Sequence, residues 1–153
     1  MAKLKKLLLD QFMGETHAEY SFGEFLTAIF GANGTGKTTI ATAYFWLMSD
    51  KDYDLQSNPE VHPDFMEESE PSVTAVFEIG GKEVAFRKYQ KDMRTKKQKE
   101  DNAPLRIANK YEINSVPKTQ KDFLADLVKM GIDVDNFLLL THPDVFCNLK
   151  PQD

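Results

Sequence analysis

The sequence predicts an α/β fold in which a mixed sheet with antiparallel hairpins is built around one buried helix. Three observations carry that prediction. Lys3 to Gln11 and Thr16 to Phe22 are strand-like runs on either side of Met13-Gly14-Glu15. A glycine-rich stretch, Gly31 to Gly36, stands between an apolar run and a helix-prone one. Val73 to Ile79 and Lys82 to Tyr89 flank Gly80-Gly81, a two-residue hairpin signal.

The first run is read as a strand, because its apolar part is only Leu7 to Leu9 and no small-residue cleavage site follows, as a leader would require. The second alternates Thr16, Ala18, Tyr20 and Phe22. Gly23-Glu24 then turns the chain into Phe25-Leu26-Thr27-Ala28-Ile29-Phe30, which lacks alternation, as expected of a central strand covered on both faces. The helix from Gly36 to about Ser49 is apolar nearly all round and should be buried. Between Asp50 and Pro71, Pro59, Pro63 and Pro71 with no sustained period indicate loop. After the hairpin, the basic run as far as Asn102 reads as a mobile tip or long loop, and Tyr111 to Pro117 as a short strand and turn. Thr119, with Asp122 three residues on, starts a helix through Met130 that directs Phe123, Leu124, Leu127 and Val128 inward and stops at Gly131. Asn136 to Leu140 is a final strand-like run.

With 153 residues, 41% of them hydrophobic and 28% charged, the chain is one domain able to bury a core. Its longest uncharged apolar run, Ile40 to Met48, is too short to cross a bilayer, so the protein is expected to be intracellular, with no membrane partner. The single Cys147 excludes an internal disulfide and a cysteine metal cluster. A net charge of −5 argues against strong nucleic-acid binding by the chain as a whole, but the charge is uneven. Arg87, Lys88, Lys91, Arg94, Lys96, Lys97 and Lys99 face only Asp92 in their stretch. Such a run is either a solvated loop or a contact for the DNA backbone. Arg87 and Lys88, at the end of a hairpin strand, and Lys96, Lys97 and Lys99 are the residues that would face DNA.

Gly31-Ala32-Asn33-Gly34-Thr35-Gly36-Lys37-Thr38 fits G-x-x-x-x-G-K-[ST], a phosphate-binding loop, and strand, glycine turn and helix is the context that the motif requires. Backbone N–H groups at a helix N-terminus carry partial positive charge and cradle phosphate oxygens. Gly31, Gly34 and Gly36 let the backbone wrap closely. Lys37 brings a full charge to the β- and γ-phosphates, the Thr38 hydroxyl suits Mg²⁺, and Thr39 is placed to donate to the α-phosphate. Residues 31–39 are therefore the expected ATP site of a P-loop NTPase. Hydrolysis also needs an acidic residue at the end of an apolar strand, to hold Mg²⁺, and a group that positions water. Downstream of Lys37 no four apolar residues end in Asp, and Leu7-Leu8-Leu9-Asp10, upstream of the loop, is better explained as a strand. No stretch resembles a Leu-Ser-Gly-Gly-Gln signature. His17 and His62 show no partner pattern and read as strand-surface and loop residues.

This layout resembles the N-terminal lobe of the SMC, RecF and SbcC type of ABC ATPases, which act in chromosome maintenance and double-strand-break repair. The loop with its Asn33-Gly34 pair matches theirs, and Tyr111-Glu112-Ile113-Asn114, Phe123, Gly131-Ile132-Asp133 and Asn136-Phe137 look like the variant found in bacteriophage-type members. The resemblance covers essentially the whole chain. It implies an ABC-ATPase-head-like partial lobe over 1–153, with strands, loop and helix in 1–50, a hairpin arm in 72–117, and a helix and final strand in 118–153. It further implies ATP and Mg²⁺ as cofactors and a cytoplasmic setting in a prokaryotic or phage-infected cell. The partners it implies are a C-terminal lobe that follows a coiled coil and a second head that dimerises on ATP, and the ending at Lys150-Pro151-Gln152-Asp153 then reads as a truncated or split head. Where the family places a glutamine that contacts Mg²⁺ and the attacking water, this chain has His142, which is either a substitute at that position or an ordinary His-Pro turn. Two other functions stay open. One is a non-catalytic nucleotide-binding interaction module. The other is a small P-loop nucleotide kinase, which the clustering of strands at both ends of one helix disfavours.

Overall fold

Residues 2–66, 68–101, 103–132 and 134 are described in this computed structural model. The turn at Met13-Gly14 folds β1 (Lys3–Phe12) onto β2 (Glu15–Ser21), with Phe12 opposite Glu15. Gly80 and Gly81, at φ 58° and 77°, close β3 (Ser72–Ile79) onto β4 (Lys82–Asp92). Asn114 and Ser115 adopt positive φ, 49° and 64°, and join β5 (Ile107–Ile113) to β6 (Val116–Lys118) in the same way. A turn with positive φ at both central residues matches the right-handed twist of the strands it joins. The strands form one six-stranded sheet in the order β2-β1-β3-β4-β5-β6, and every ladder in it is antiparallel.

One face of the sheet carries the core. Leu7 and Leu9 of β1, Val73, Ala75 and Phe77 of β3, Phe86 of β4, and Tyr111 and Ile113 of β5 are buried there. Against them pack α1 (Lys37–Ser49), through Ile40, Ala43, Trp46, Leu47 and Met48, and α3 (Gln120–Lys129), through Phe123 and Leu127. Phe86 meets both Phe77 and Phe123 edge-on, with ring centroids 5.9 and 5.4 Å apart, a favoured aromatic geometry. Thr119 caps α3 by accepting from the Asp122 N–H at 3.2 Å, and Gly131 follows its end at φ 80°. Val128, expected inward, is 55% exposed. Only Phe123 and Leu127 of this short helix reach the fully buried layer, so its apolar stripe is narrower than the sequence suggested.

Two further elements differ from expectation. Residues 25–30, expected as a central strand buried on both faces, join no ladder of the sheet, and Phe25, Leu26 and Phe30 are 96%, 86% and 90% exposed. Their apolar character is real, but no described strand pairs with them. The basic stretch is not a loop throughout. β4 runs to Asp92, and Thr95 then starts α2 (Lys96–Glu100) with a capping box, in which its hydroxyl accepts from the Gln98 N–H and its N–H donates to the Gln98 side chain.

The C-terminal end of α1 is fastened by a buried polar network. Lys88 of β4 shares the inward face with Phe86 and is completely buried. Its ammonium donates to the Trp46 carbonyl at 2.6 Å and to Asp50, and lies 3.9 Å from the centre of a Trp46 ring. Asp50, the C-cap of α1, also accepts from Asn109 at 3.2 Å and from Gln120 at 2.9 Å. One carboxylate thus ties α1, β4, β5 and α3 together. Burial pulls the Lys88 pKa down to about 8 against the opposing charge of Asp50.

Candidate functional site

The phosphate-loop motif lies between the exposed run 25–30 and α1. Gly36 is the N-cap of α1 at φ 81°, and no side chain caps the helix, so the first backbone N–H groups have no side-chain acceptor. Gly34 has φ 82°, and this left-handed conformation strains any residue with a Cβ. At Gly31 the restriction is space, since a Cβ there would stand 2.5 Å from Thr35 Oγ1. The loop also bonds to itself. Thr35 Oγ1 donates to the Ala32 carbonyl at 2.8 Å, and Lys37 Nζ donates to the Gly31 and Ala32 carbonyls at 2.7 and 2.5 Å.

Asn33 to Thr39 on one side and Gly14-Glu15 on the other enclose a concavity of about 530 Å³. The residues present suit a polyphosphate. The cradle is one that added Cβ atoms would crowd, the helix end is uncapped, and a lysine is held in the same rim. Thr38 and Thr39 line the concavity, and a threonine hydroxyl is an oxygen donor of the kind that Mg²⁺ accepts. The motif residues expected from the sequence are therefore gathered in one place. Glu15 and Gly14, which belong to it as well, were not legible, because they come from a hairpin more than fifteen residues upstream.

Other candidates fall elsewhere. Among the described residues no group of three or more His, Cys, Asp and Glu is placed to hold a metal. Asp10 is engaged on β1, where it pairs with His17 Nδ1 at 2.5 Å and accepts from the Ser72 hydroxyl at 3.4 Å. His62 shares a hydrogen bond with Ser69 Oγ at 2.7 Å. Both histidines thus have partners that the sequence pattern did not reveal. His142 and the strand-like run 136–140 lie outside the described residues.

The residues expected to face DNA, with Arg94 of the same basic run, divide into four groups. Lys88 does not face solvent at all, because its position on the inward face of β4 makes it the buried anchor of Asp50. Arg87, on the opposite face, stacks 4.8 Å from the Tyr89 ring centre and pairs with Glu112 at 3.4 Å. Lys99 and Arg94 converge on Asp92 at 3.2 and 2.9 Å, and Arg94 holds that carboxyl well below the usual carboxylate range. Lys96 and Lys97 are exposed on α2 and form no ion pair among the described residues.

The model of an AAA domain family matches residues 6–144. Among solved structures, the chain is similar to one described as "Structural biochemistry of ATP-driven dimerization and DNA stimulated activation of SMC ATPases", at 20% identity and a TM-score of 0.64, over 97% of this chain and 92% of that one. It is similar to the SMC head domain from Thermotoga maritima at 27% identity and a TM-score of 0.57, over 81% of this chain and 41% of that one. It also resembles the recombination mediator protein RecF bound to ATP, at 17% identity and a TM-score of 0.59, over 80% of this chain and 30% of that one. It therefore spans less than half the length of those last two chains. No curated protein matches the sequence.

Proposed function

The chain belongs to the AAA domain family and has the fold of the N-terminal lobe of an SMC/RecF-type, ABC-class ATPase, and from that premise we propose that residues 31–39 bind Mg-ATP as one half of a composite head. The head would serve DNA double-strand-break repair, recombination or chromosome maintenance in the cytoplasm.

The observation that most supports a composite head is the run 25–30. It leads directly into the phosphate loop, yet Phe25, Leu26 and Phe30 face solvent almost entirely and Ile29 does so in part. Burying one such side chain is worth roughly 1.5–3 kcal/mol, and an unpaired apolar strand is a template for pairing. A second lobe that lays a strand against this run would satisfy both. The same lobe is the natural source of an acidic Mg²⁺ ligand, since among the described residues Glu15 is the only carboxylate that lines the concavity. Within this chain, the loop N–H groups and Lys37 would hold and orient the triphosphate, and Thr38 would offer its hydroxyl to Mg²⁺. When bound, Mg²⁺ neutralises charge on the β- and γ-phosphate oxygens. The all-antiparallel order of the described strands disfavours the kinase alternative, which needs alternating βα units.

Titration calorimetry of the chain with Mg-ATP should show binding, and a phosphate-release assay should show negligible turnover. Robust hydrolysis by this chain alone would sink the composite-head reading, and phosphotransfer to a nucleoside or sugar would favour a kinase. For DNA, reversing Lys96, Lys97 and Lys99 to glutamate should weaken binding and reduce the slope of log K against log salt by roughly two, because two of the three lysines lack an internal acidic partner. An unchanged slope would return α2 to the role of a solvated helix.

A further inference from the structure

The two edges of the sheet are finished differently. β6 is an edge of three residues, and its Pro117 has no N–H to offer, so pairing there is blunted. β2, at the other edge, runs for seven residues without a proline, a lysine or a break in its register with β1. No described strand pairs with its outer side, and Thr16, His17, Glu19 and Ser21 are exposed.

The hairpin decides which groups face that edge. The Phe22 N–H donates to the Lys5 carbonyl at 2.8 Å, next to the pair formed by Lys6 and Ser21. Bonding pairs alternate along an antiparallel ladder, so Tyr20, Ala18 and Thr16 turn their main-chain groups to β1, and His17, Glu19 and Ser21 turn theirs outward. Side chains alternate as well. Tyr20 and Ala18 stand opposite the buried Leu7 and Leu9, on the helix side, which leaves His17, Glu19 and Ser21 on the open face. There His17 is held by Asp10 at 2.5 Å and Glu19 by Lys6 at 2.9 Å.

We propose that β2 is a self-complementary edge, through which two copies of this chain join their sheets, pairing β2 with β2 antiparallel about a two-fold axis at Ala18. A two-fold axis makes the same patch face itself, so the choice of register rests on which residues then stand opposite one another. Centred on Ala18, His17 faces Glu19 of the second copy, and the pair occurs twice. Centred on His17 or on Glu19, like residues would face each other. In the favoured register the open face reads Asp10 and His17, then Glu19 and Lys6 of the second copy, so carboxylates alternate with nitrogen groups across the seam. On the helix side Thr16 meets Tyr20 of the second copy, a β-branched residue against an aromatic one, which favours strand pairing.

Sedimentation of the purified chain without nucleotide tests this, and its outcome does not depend on the reading of residues 31–39. A concentration-dependent dimer is expected, with amide exchange at His17, Glu19 and Ser21 slowed as it forms. Glu19→Lys and His17→Glu each replace the complementary pair and should weaken the dimer about tenfold, since the seam holds that pair twice. Mixing the two variants should restore it, because the introduced lysine and glutamate then face each other. Glu19→Pro removes an outward N–H while sparing the ladder with β1, and should leave only monomer. A parent chain that stays monomeric up to about 1 mM overturns the proposal. A dimer that Glu19→Lys and His17→Glu leave unchanged also overturns it, as association through the exposed residues 25–30 would produce. A mixture that associates no more tightly than either variant alone overturns it too.

Discussion

Lys88→Ala should lower the free energy of unfolding by about 3–5 kcal/mol, the range expected when one member of a buried ion pair is removed. The substitution leaves Asp50 short of its only cationic partner among the described residues, takes a donor from the Trp46 carbonyl, and opens a void beside Trp46 where the lysine stem was packed. Lys88→Met refills the void without the charge. It should lose less than half as much, because Asn109 and Gln120 still donate to Asp50. Urea denaturation of the three proteins measures this, and a loss below about 1 kcal/mol for the alanine variant would show that the network carries little stability.

The same lysine sets a pH dependence whose sign follows from its lowered pKa. Between about 8 and 10.5 the unfolded chain holds a proton on Lys88 that the folded chain does not. Stability contributed by this group therefore rises with pH across that window and is constant below it. From pH 8 to 10 the rise should be about 2 kcal/mol, and it should vanish in Lys88→Met. Above pH 10 the buried tyrosines act in the opposite direction. Burial raises Tyr44, and burial together with the charge of Asp50 pushes Tyr111 up to about 12, so the folded state retains protons that the unfolded state sheds.

Lys37→Ala should abolish Mg-ATP binding, with an affinity loss of at least about a hundredfold, or ~2.7 kcal/mol. Yet it should leave unfolding within about 0.5 kcal/mol of the parent. The two effects separate because, among the described residues, the ammonium donates only to carbonyls of its own exposed loop, where water can replace it. Titration calorimetry beside a denaturation curve checks both. Retention of ATP affinity within threefold would remove the phosphate loop from the proposed function. The two lysines thus lie at opposite ends of α1, one at the proposed phosphate site and one fixing the helix to β4.

Much of the fold could be read in advance where a local rule decides the outcome. The Gly80-Gly81 hairpin, the helix after Gly36 and the Thr119 cap depend on a few neighbouring residues, and each stands where the pattern put it. Two misses were legible in principle. Thr95 and Gln98 spell a capping box inside a stretch read by its charge alone. Lys88 has the same parity as Val84 and Phe86 on β4, which puts it on the inward face despite its charge. The exposed run 25–30 is a different kind of difference. Its composition is that of a buried central strand, but composition states what a segment needs and not whether a partner is present.

By itself, the sequence determined the hairpins, the buried helix and the glycine-rich turn that begins it, because turn stereochemistry, helix periodicity and glycine placement are all written in contiguous residues. Only the tertiary structure decided that Lys88 turns inward to Asp50, that residues 25–30 stand without a ladder, and that Glu15 closes the far wall of the loop's concavity. Those three depend on which segments, distant in the chain, come to lie within a few ångströms of one another, and sheet register and the packing of Phe12 on Trp46 set that proximity.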